Sequence, residues 1–240
     1  ATYLNIKGSK NLLASTLACW ASLYTARAMY YRVKNHFPHD KVFIAVVIQK
    51  MVNSEVAGVM FTVNPVTQDV NEILIEASYG LGEAVVSGAI TPDEYHVKKK
   101  GFTVEKKIIA KKTWMYVRDP ETLTTVKVDV PQVRQEEESL HIQEIKKLAE
   151  YAIKLEGHYK KAQDIEFAIE KGKVYITQTR PITTLKKKDV KKENEVEKKK
   201  TVEEQKDLPQ ELEIKDAVLL VSGISASPGI GRGKVVIVYD

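Results

Sequence analysis

Between Asn11 and Lys34, apolar side chains return every three or four positions: Leu13, Leu17, Trp20, Leu23 with Tyr24, Ala28 and Tyr31. That spacing gathers them on one face and predicts an amphipathic helix. From Lys41 the period changes. "KVFIAVVIQKMV" and "VAGVMFTVNP" are short apolar runs and read as successive buried strands, with "EILIEASYG" a third. The third runs into "YGLGEAVVSGAITPDEY", whose glycines mark turns. "EYHVKKK", "TVEKKIIAKKTWMYV" and "LTTVKVDV" predict a meander. "EESLHIQEIKKLAEYAIKLEGHY" is the strongest helix, with Leu140, Ile145, Leu148, Ala152 and Leu155 on one face. Two further strand-like stretches flank Lys171-Gly172. Helices mixed with hairpin-joined strands, without a βαβ repeat, make the fold class α+β.

The last hairpin, "AQDIEFAIEKGKVYITQTRPIT" (residues 162–183), carries polar side chains where a core strand would be apolar. Its register decides whether they converge. A two-residue turn at Lys171-Gly172 would pair Glu166 with Thr177 and turn Gln178 to the other face. A three-residue loop, Glu170-Lys171-Gly172 with Gly172 left-handed, opposes Ile169 to Lys173 and Asp164 to Gln178. Asp164, Glu166, Gln178 and Arg180 then share one face, and Ile165, Phe167, Ile169, Tyr175 and Thr177 the other. The second register keeps the apolar stripe on one side and is the expected one. Its polar face offers two carboxylates, an amide oxygen and a guanidinium. Hard oxygen donors of this kind suit Mg²⁺ held together with phosphate oxygens and water, and a guanidinium beside them can grip a phosphate. A solvated outer face with cross-strand pairs is the other reading. Spacing alone leaves both open.

Composition narrows the classes. At 240 residues, 43% hydrophobic and 29% charged, the chain has the make-up of a soluble globular protein with a real core. It has no run of 18 apolar residues and no opening signal peptide, so neither a membrane span nor export is expected. The single cysteine, Cys19, reads as a small buried hydrophobe in a reducing, cytoplasmic setting. Most of the net charge of +5 lies in Leu185 to Lys215, a mixed-charge stretch without aromatics. This is a solvated linker rather than a nucleic-acid arm, since nothing in it can stack on bases. After it, "AVLLVSGISASPGIGRGKVVIVYD" reads as the opening strands of a second domain. His36 and His39 are close together, but without a third ligand nearby they belong to a loop.

These residues carry a resemblance. "DIEFAIEKGKVYITQTRPIT" is similar to the nucleotide-site hairpin of the pyruvate phosphate dikinase/phosphoenolpyruvate synthase family, and three more stretches agree in the same order: "SLYTARAMYYR", "VIQKMVNSEVAGVMFTVNP" and "ASYGLGEAVVSGAITPDEY". It covers residues 1–185 and resumes at "SGISASPGIGRGKVVIV". The resemblance implies an ATP-grasp nucleotide-binding domain lacking its N-terminal part (1–185), the linker (186–215) and the first strands of a swivelling phosphohistidine domain (216–240).

Carried over by motif, Gln49, Lys50, Met51 and Val52 would line the adenine at a strand end. Glu83 would touch the ribose or orient the phosphates. Glu166 and Gln178 would hold Mg²⁺ with Asp164 supporting, and Arg180 would be the catalytic contact to the transferring phosphate. Arg27 and Arg32 fall on a helix and are read as surface or packing residues. The family's phosphate-binding Lys and Arg segment, its phosphocarrier histidine and its pyruvate barrel have no match. None of His36, His39, His96, His141 or His158 stands in the carrier context. The chain therefore resembles a piece of a dikinase that makes phosphoenolpyruvate, AMP and phosphate from ATP, pyruvate and water. Its partners would be ATP, pyruvate bound elsewhere, the remainder of the parent enzyme and a second copy. A phosphate dikinase, a rifampicin or glucan kinase, and a non-catalytic nucleotide module are the alternatives.

Overall fold

The computed structural model describes residues 1–183. The linker and second-domain expectations fall on 184–240 and lie outside the described residues. Ala1–Asn64 with Val70–Ile182 form one compact unit.

Its frame is a six-stranded antiparallel sheet built from β1 (Val56–Phe61), β2 (Glu72–Tyr79), β3 (Asp93–Lys98), β4 (Val104–Ile108), β7 (Gln163–Glu170) and β8 (Lys173–Pro181), in the order β4-β3-β2-β1-β7-β8. β5 (Trp114–Arg118) and β6 (Thr125–Asp129) form a separate two-stranded sheet. The fold is thus mixed α and β around one antiparallel sheet, as expected. The expected meander is split: "TVEKKIIAKKTWMYV" divides into β4 and β5, which belong to different sheets. The break is held by a fully buried ion pair. Lys112 Nζ lies 2.6 Å from Asp93 Oδ1, which also accepts the Ala110 N–H at 2.9 Å. Asp93 Oδ2 takes the Ser139 N–H at 2.8 Å, so this carboxylate ties three segments together.

One sheet face is apolar. Met60, Ile73, Ile75, Tyr95, Ile165, Phe167 and Ile169 are buried there against Ile145, Leu148, Ala149 and Ala152 of α4 (Ile142–Tyr159). Strand alternation and the helical period each supply one side of this core. Leu140 is buried just before the helix, and Leu155 packs at the margin of the core. The helix begins where the Glu144 carboxylate accepts the His141 N–H at 2.8 Å and ends at Lys160 in the left-handed region.

The N-terminal third departs from its pattern. The single helix expected over 11–34 is two, α1 (Ser9–Ala21) and α2 (Ala26–Lys34), with a 3₁₀ turn at Ser22–Tyr24 between them. The break is at Thr25, in extended conformation, whose hydroxyl caps α2 by accepting the Ala28 N–H at 3.4 Å. Its apolar stripe is not buried: Leu13, Leu17, Trp20, Tyr24 and Tyr31 are all exposed. Cys19 is buried, as expected; so is Arg32, whose Nε donates to His39 Nδ1 at 2.9 Å. "KVFIAVVIQKMV" is no strand. It runs extended and unpaired, with Phe43 86% and Val47 81% exposed, because no described strand lies beside it to complete a ladder. His36 and His39 sit in the turn and the 3₁₀ helix that follow α2. Among the described residues no helix is long and apolar enough to cross a membrane.

Candidate functional site

The β7–β8 hairpin closes through Lys171-Gly172, both at positive φ (51° and 70°), with Glu170 paired to Lys173. This is a two-residue turn whose twist matches its strands. The three-residue loop expected from the sequence is therefore wrong. Ile169 faces Val174 rather than Lys173, and Asp164 faces Arg180 rather than Gln178. Val174 and Ile176 join the core face, and Tyr175 points away from it, opposite Ala168. Left alone, that turn would send Gln178 to the wrong side. A bulge corrects it. Phe167 pairs with Ile176 while Glu166 pairs with Gln178, so Thr177 is the extra residue. From there to the strand end, Asp164, Glu166, Gln178 and Arg180 lie on one face, opposite the core.

Their contacts are direct. Gln178 Nε2 donates to Glu166 Oε1 at 3.3 Å. Arg180 Nε and Nη2 reach Asp164 Oδ2 at 2.8 and 2.7 Å. The Arg180 side chain is 67% exposed, so this pair holds it loosely and leaves it able to turn toward an anion. The bulge is also where the extended segment comes in: Gln49 Nε2 donates to the Thr177 carbonyl at 3.3 Å. Gln49 and Lys50 are exposed, Met51 and Val52 half-buried, and none is in a strand, so the expected strand end is an unpaired strip.

The face extends across the sheet. Val59 lies between Glu166 on β7 and Glu76 on β2, and Glu76 pairs onward with Glu94 on β3. In the next row Phe61 lies between Asp164 and Leu74, and Leu74 pairs with His96. Burial pushes the Glu166 carboxyl above the usual range, the Asp164 and Glu83 charges push the same way, and Arg180 opposes them. Burial likewise raises Glu76, helped by Glu94 and Asp164. The face is thus a patch where negative charge is crowded and a cation would be welcome. Glu76 and Glu94 were not singled out from the sequence. The alternation of "EILIEASY" puts Glu76 opposite the core, but only the sheet order reveals that it lies across β1 from Glu166.

Glu83 is exposed at the first position of α3 (Glu83–Val86), just after the Gly80-Leu81-Gly82 turn. Gly80 has φ +80°, and a Cβ there would run into the Tyr116 carbonyl oxygen. The N–H of Gly80 donates to the Glu55 carbonyl, and that of Leu81 to the Tyr116 carbonyl, each at 2.8 Å.

A divalent cation is testable against this donor set. Among the described residues no group of three or more His, Cys, Asp or Glu side chains is arranged to hold a metal by itself. Glu166 and Gln178 nevertheless fit Mg²⁺. They are hard oxygen donors side by side, and half a turn of the Gln178 amide brings its oxygen next to the carboxylate. Mg²⁺ usually takes one or two protein oxygens and completes its shell with phosphate and water.

Comparison with known proteins bears out the family resemblance. Residues 1–201 match the family model for the pyruvate phosphate dikinase, AMP/ATP-binding domain. The chain is 47% identical over its whole length to the phosphoenolpyruvate synthase of Pyrococcus furiosus, spanning 28% of that protein. It is 48% identical to a probable phosphoenolpyruvate synthase of Methanocaldococcus jannaschii, spanning 19% of it. With a phosphoenolpyruvate synthase of Aeropyrum pernix the identity is 34%, covering 98% of this chain and 30% of that protein. The chain spans less than a third of these curated relatives. Match to the family model over most of its length means that this chain belongs to the pyruvate phosphate dikinase AMP/ATP-binding domain family.

Proposed function

We propose that this chain is the latter part of an ATP-grasp domain that holds Mg-ATP for a phosphoenolpyruvate synthase. The observation that supports it most is the bulge at Thr177. It costs the hairpin a ladder position and leaves Asp164, Glu166, Gln178 and Arg180 together on one half-exposed face. A purely structural hairpin needs no such correction.

In this reading the Gln49–Val52 strip lines the adenine, its unpaired backbone groups free to meet the base edge. Glu83, at the start of α3, faces the ribose and phosphates. Glu166 and Gln178 hold Mg²⁺ and Asp164 supports them. Bound there, Mg²⁺ supplies charge neutralisation between the phosphate oxygens and the crowded carboxylates. Arg180 leaves Asp164 for the phosphate undergoing transfer, where a planar guanidinium matches two phosphate oxygens. Because Asp164 already aims Arg180, turning toward phosphate is a short rearrangement. The chain's contribution is positioning and charge stabilisation. The parent protein would convert ATP, pyruvate and water to phosphoenolpyruvate, AMP and phosphate through a phosphohistidine carried elsewhere, in the cytoplasm and as an oligomer.

Titration of the intact protein with ATP, with and without Mg²⁺, tests the reading. Mg-dependent binding that Glu166→Ala weakens at least about tenfold is the expected result. Wild-type protein that ignores Mg-ATP would remove the nucleotide assignment.

A further inference from the structure

The peptide unit between Gly80 and Leu81 is gripped at both ends. Its carbonyl oxygen accepts the Ser54 hydroxyl at 2.9 Å, and its N–H donates to the Tyr116 carbonyl at 2.8 Å. A peptide held by one partner can rock about its Cα–Cα axis; held by two on opposite sides it cannot. Gly80 permits the conformation and Tyr116 supplies a backbone atom, so Ser54 is the side chain in this grip. It is 9% exposed and lies two residues before the start of β1, next to Glu55. Glu55 binds the same strip to the hairpin, its N–H donating to the Ile169 carbonyl at 2.8 Å and its carboxylate accepting the Lys171 N–H at 3.3 Å. Ser54-Glu55 therefore joins the turn that leads into Glu83 to the hairpin that carries Glu166 and Arg180.

We propose that Ser54 is a positioning residue that fixes the Gly80–Gly82 turn and so sets where Glu83 stands toward a bound nucleotide. The proposal rests on the reading of Glu83 as a nucleotide contact. It differs from a packing role because Ser54 acts through a peptide plane leading to one carboxylate.

A double-mutant cycle on Mg-ATP affinity in the intact protein tests it. Ser54→Ala is expected to weaken binding about tenfold, and Ser54→Thr, which keeps the hydroxyl, less than about threefold. In a Glu83→Gln background the Ser54→Ala loss should shrink below about threefold, because the group being positioned is already impaired. Unchanged affinity in Ser54→Ala overturns the proposal. So does an equal loss in both backgrounds, which would mean that Ser54 merely stabilises the fold. Should the alanine variant fail to fold, Ser54→Cys keeps the volume with a weaker donor, and wild-type affinity in that variant overturns the proposal equally. Absence of Mg-ATP binding by the wild type overturns the nucleotide reading itself and is recognisable before any variant is made.

Discussion

The segment 42–48, "VFIAVVI", is more apolar and more β-branched than the strand 73–79, "ILIEASY", yet the two end in the opposite environments from those this would suggest. In the second, Ile73, Ile75 and Ala77 are fully buried under α4, and both edges of the strand are paired. In the first, Phe43, Val47 and Ile48 stand exposed and no ladder forms among the described residues. Apolar, β-branched residues make a strand possible; a neighbouring backbone and an apposed helix face make it actual. The same contrast separates the two long helical patterns. α4 buries Ile145, Leu148 and Ala152, whereas the stripe of α1 and α2 stays at the surface.

The contrast is open to measurement. Its largest consequence concerns the buried carboxylate of Asp93. Asp93→Ala leaves the Lys112 ammonium buried and unpaired and should destabilise the protein by about 3–5 kcal/mol, seen as a lower denaturant midpoint at unchanged slope. A loss under about 1 kcal/mol would mean that water reaches Lys112 and that the core is looser than its burial implies.

Nearly as large is the difference between two phenylalanines. Phe167→Ala, in the core, should cost about 3–5 kcal/mol, whereas Phe43→Ala should stay within about 0.5 kcal/mol. Equal losses would show that Phe43 is covered in solution and would erase the contrast between the two regions.

On the polar face the proposed nucleotide role places the expected effect on catalysis rather than stability. In the intact protein Arg180→Ala should lower kcat for ATP-dependent phosphoryl transfer by at least ~10²-fold and raise the KM for ATP less, with Arg180→Lys rescuing in part. The exposed pair with Asp164 predicts a thermal midpoint within about 2 °C of wild type. Near-normal turnover in the alanine variant would make Arg180 an ordinary surface strand residue.

The smallest effect carries a sign. Glu76 has a folded-state pKa above its unfolded value, through burial first and then the Glu94 and Asp164 charges. The stability this group allows is full below the unfolded pKa and is lost as pH rises through the folded one. Glu76→Gln should therefore raise the thermal midpoint near neutral pH, by about 2 °C or more, and the gain should vanish near pH 4. A gain that persists in acid would trace to the amide's hydrogen bonds rather than to relieved charge.

Much was legible in order of residues alone. The period of 3.6 located α4 and its buried face, and short strand-like runs bounded by turn residues located β1, β2, β3 and β7, because these elements answer to their own side chains. The polar set of the hairpin was also legible as types: two carboxylates, an amide and a guanidinium in an alternating stretch. Their convergence was expected through the wrong device. Both turn lengths are compatible with Glu170-Lys171-Gly172, and a bulge has no local signature at Tyr175-Ile176-Thr177-Gln178. What chose the short turn plus a bulge was the joint demand of Val174 and Ile176 for the core and of Gln178 for the opposite face. The separation of β4 from β5, the placing of Glu76 and Glu94 across β1 on the same face as Glu166, and the grip of Ser54 on Gly80 likewise depend on residues distant in sequence. Local pattern determines which conformations a segment favours, because sterics and solvation act within a few residues. Which of those conformations is completed, and which side chains meet across strands, is decided only where the chain closes on itself and each backbone group and apolar face finds its partner.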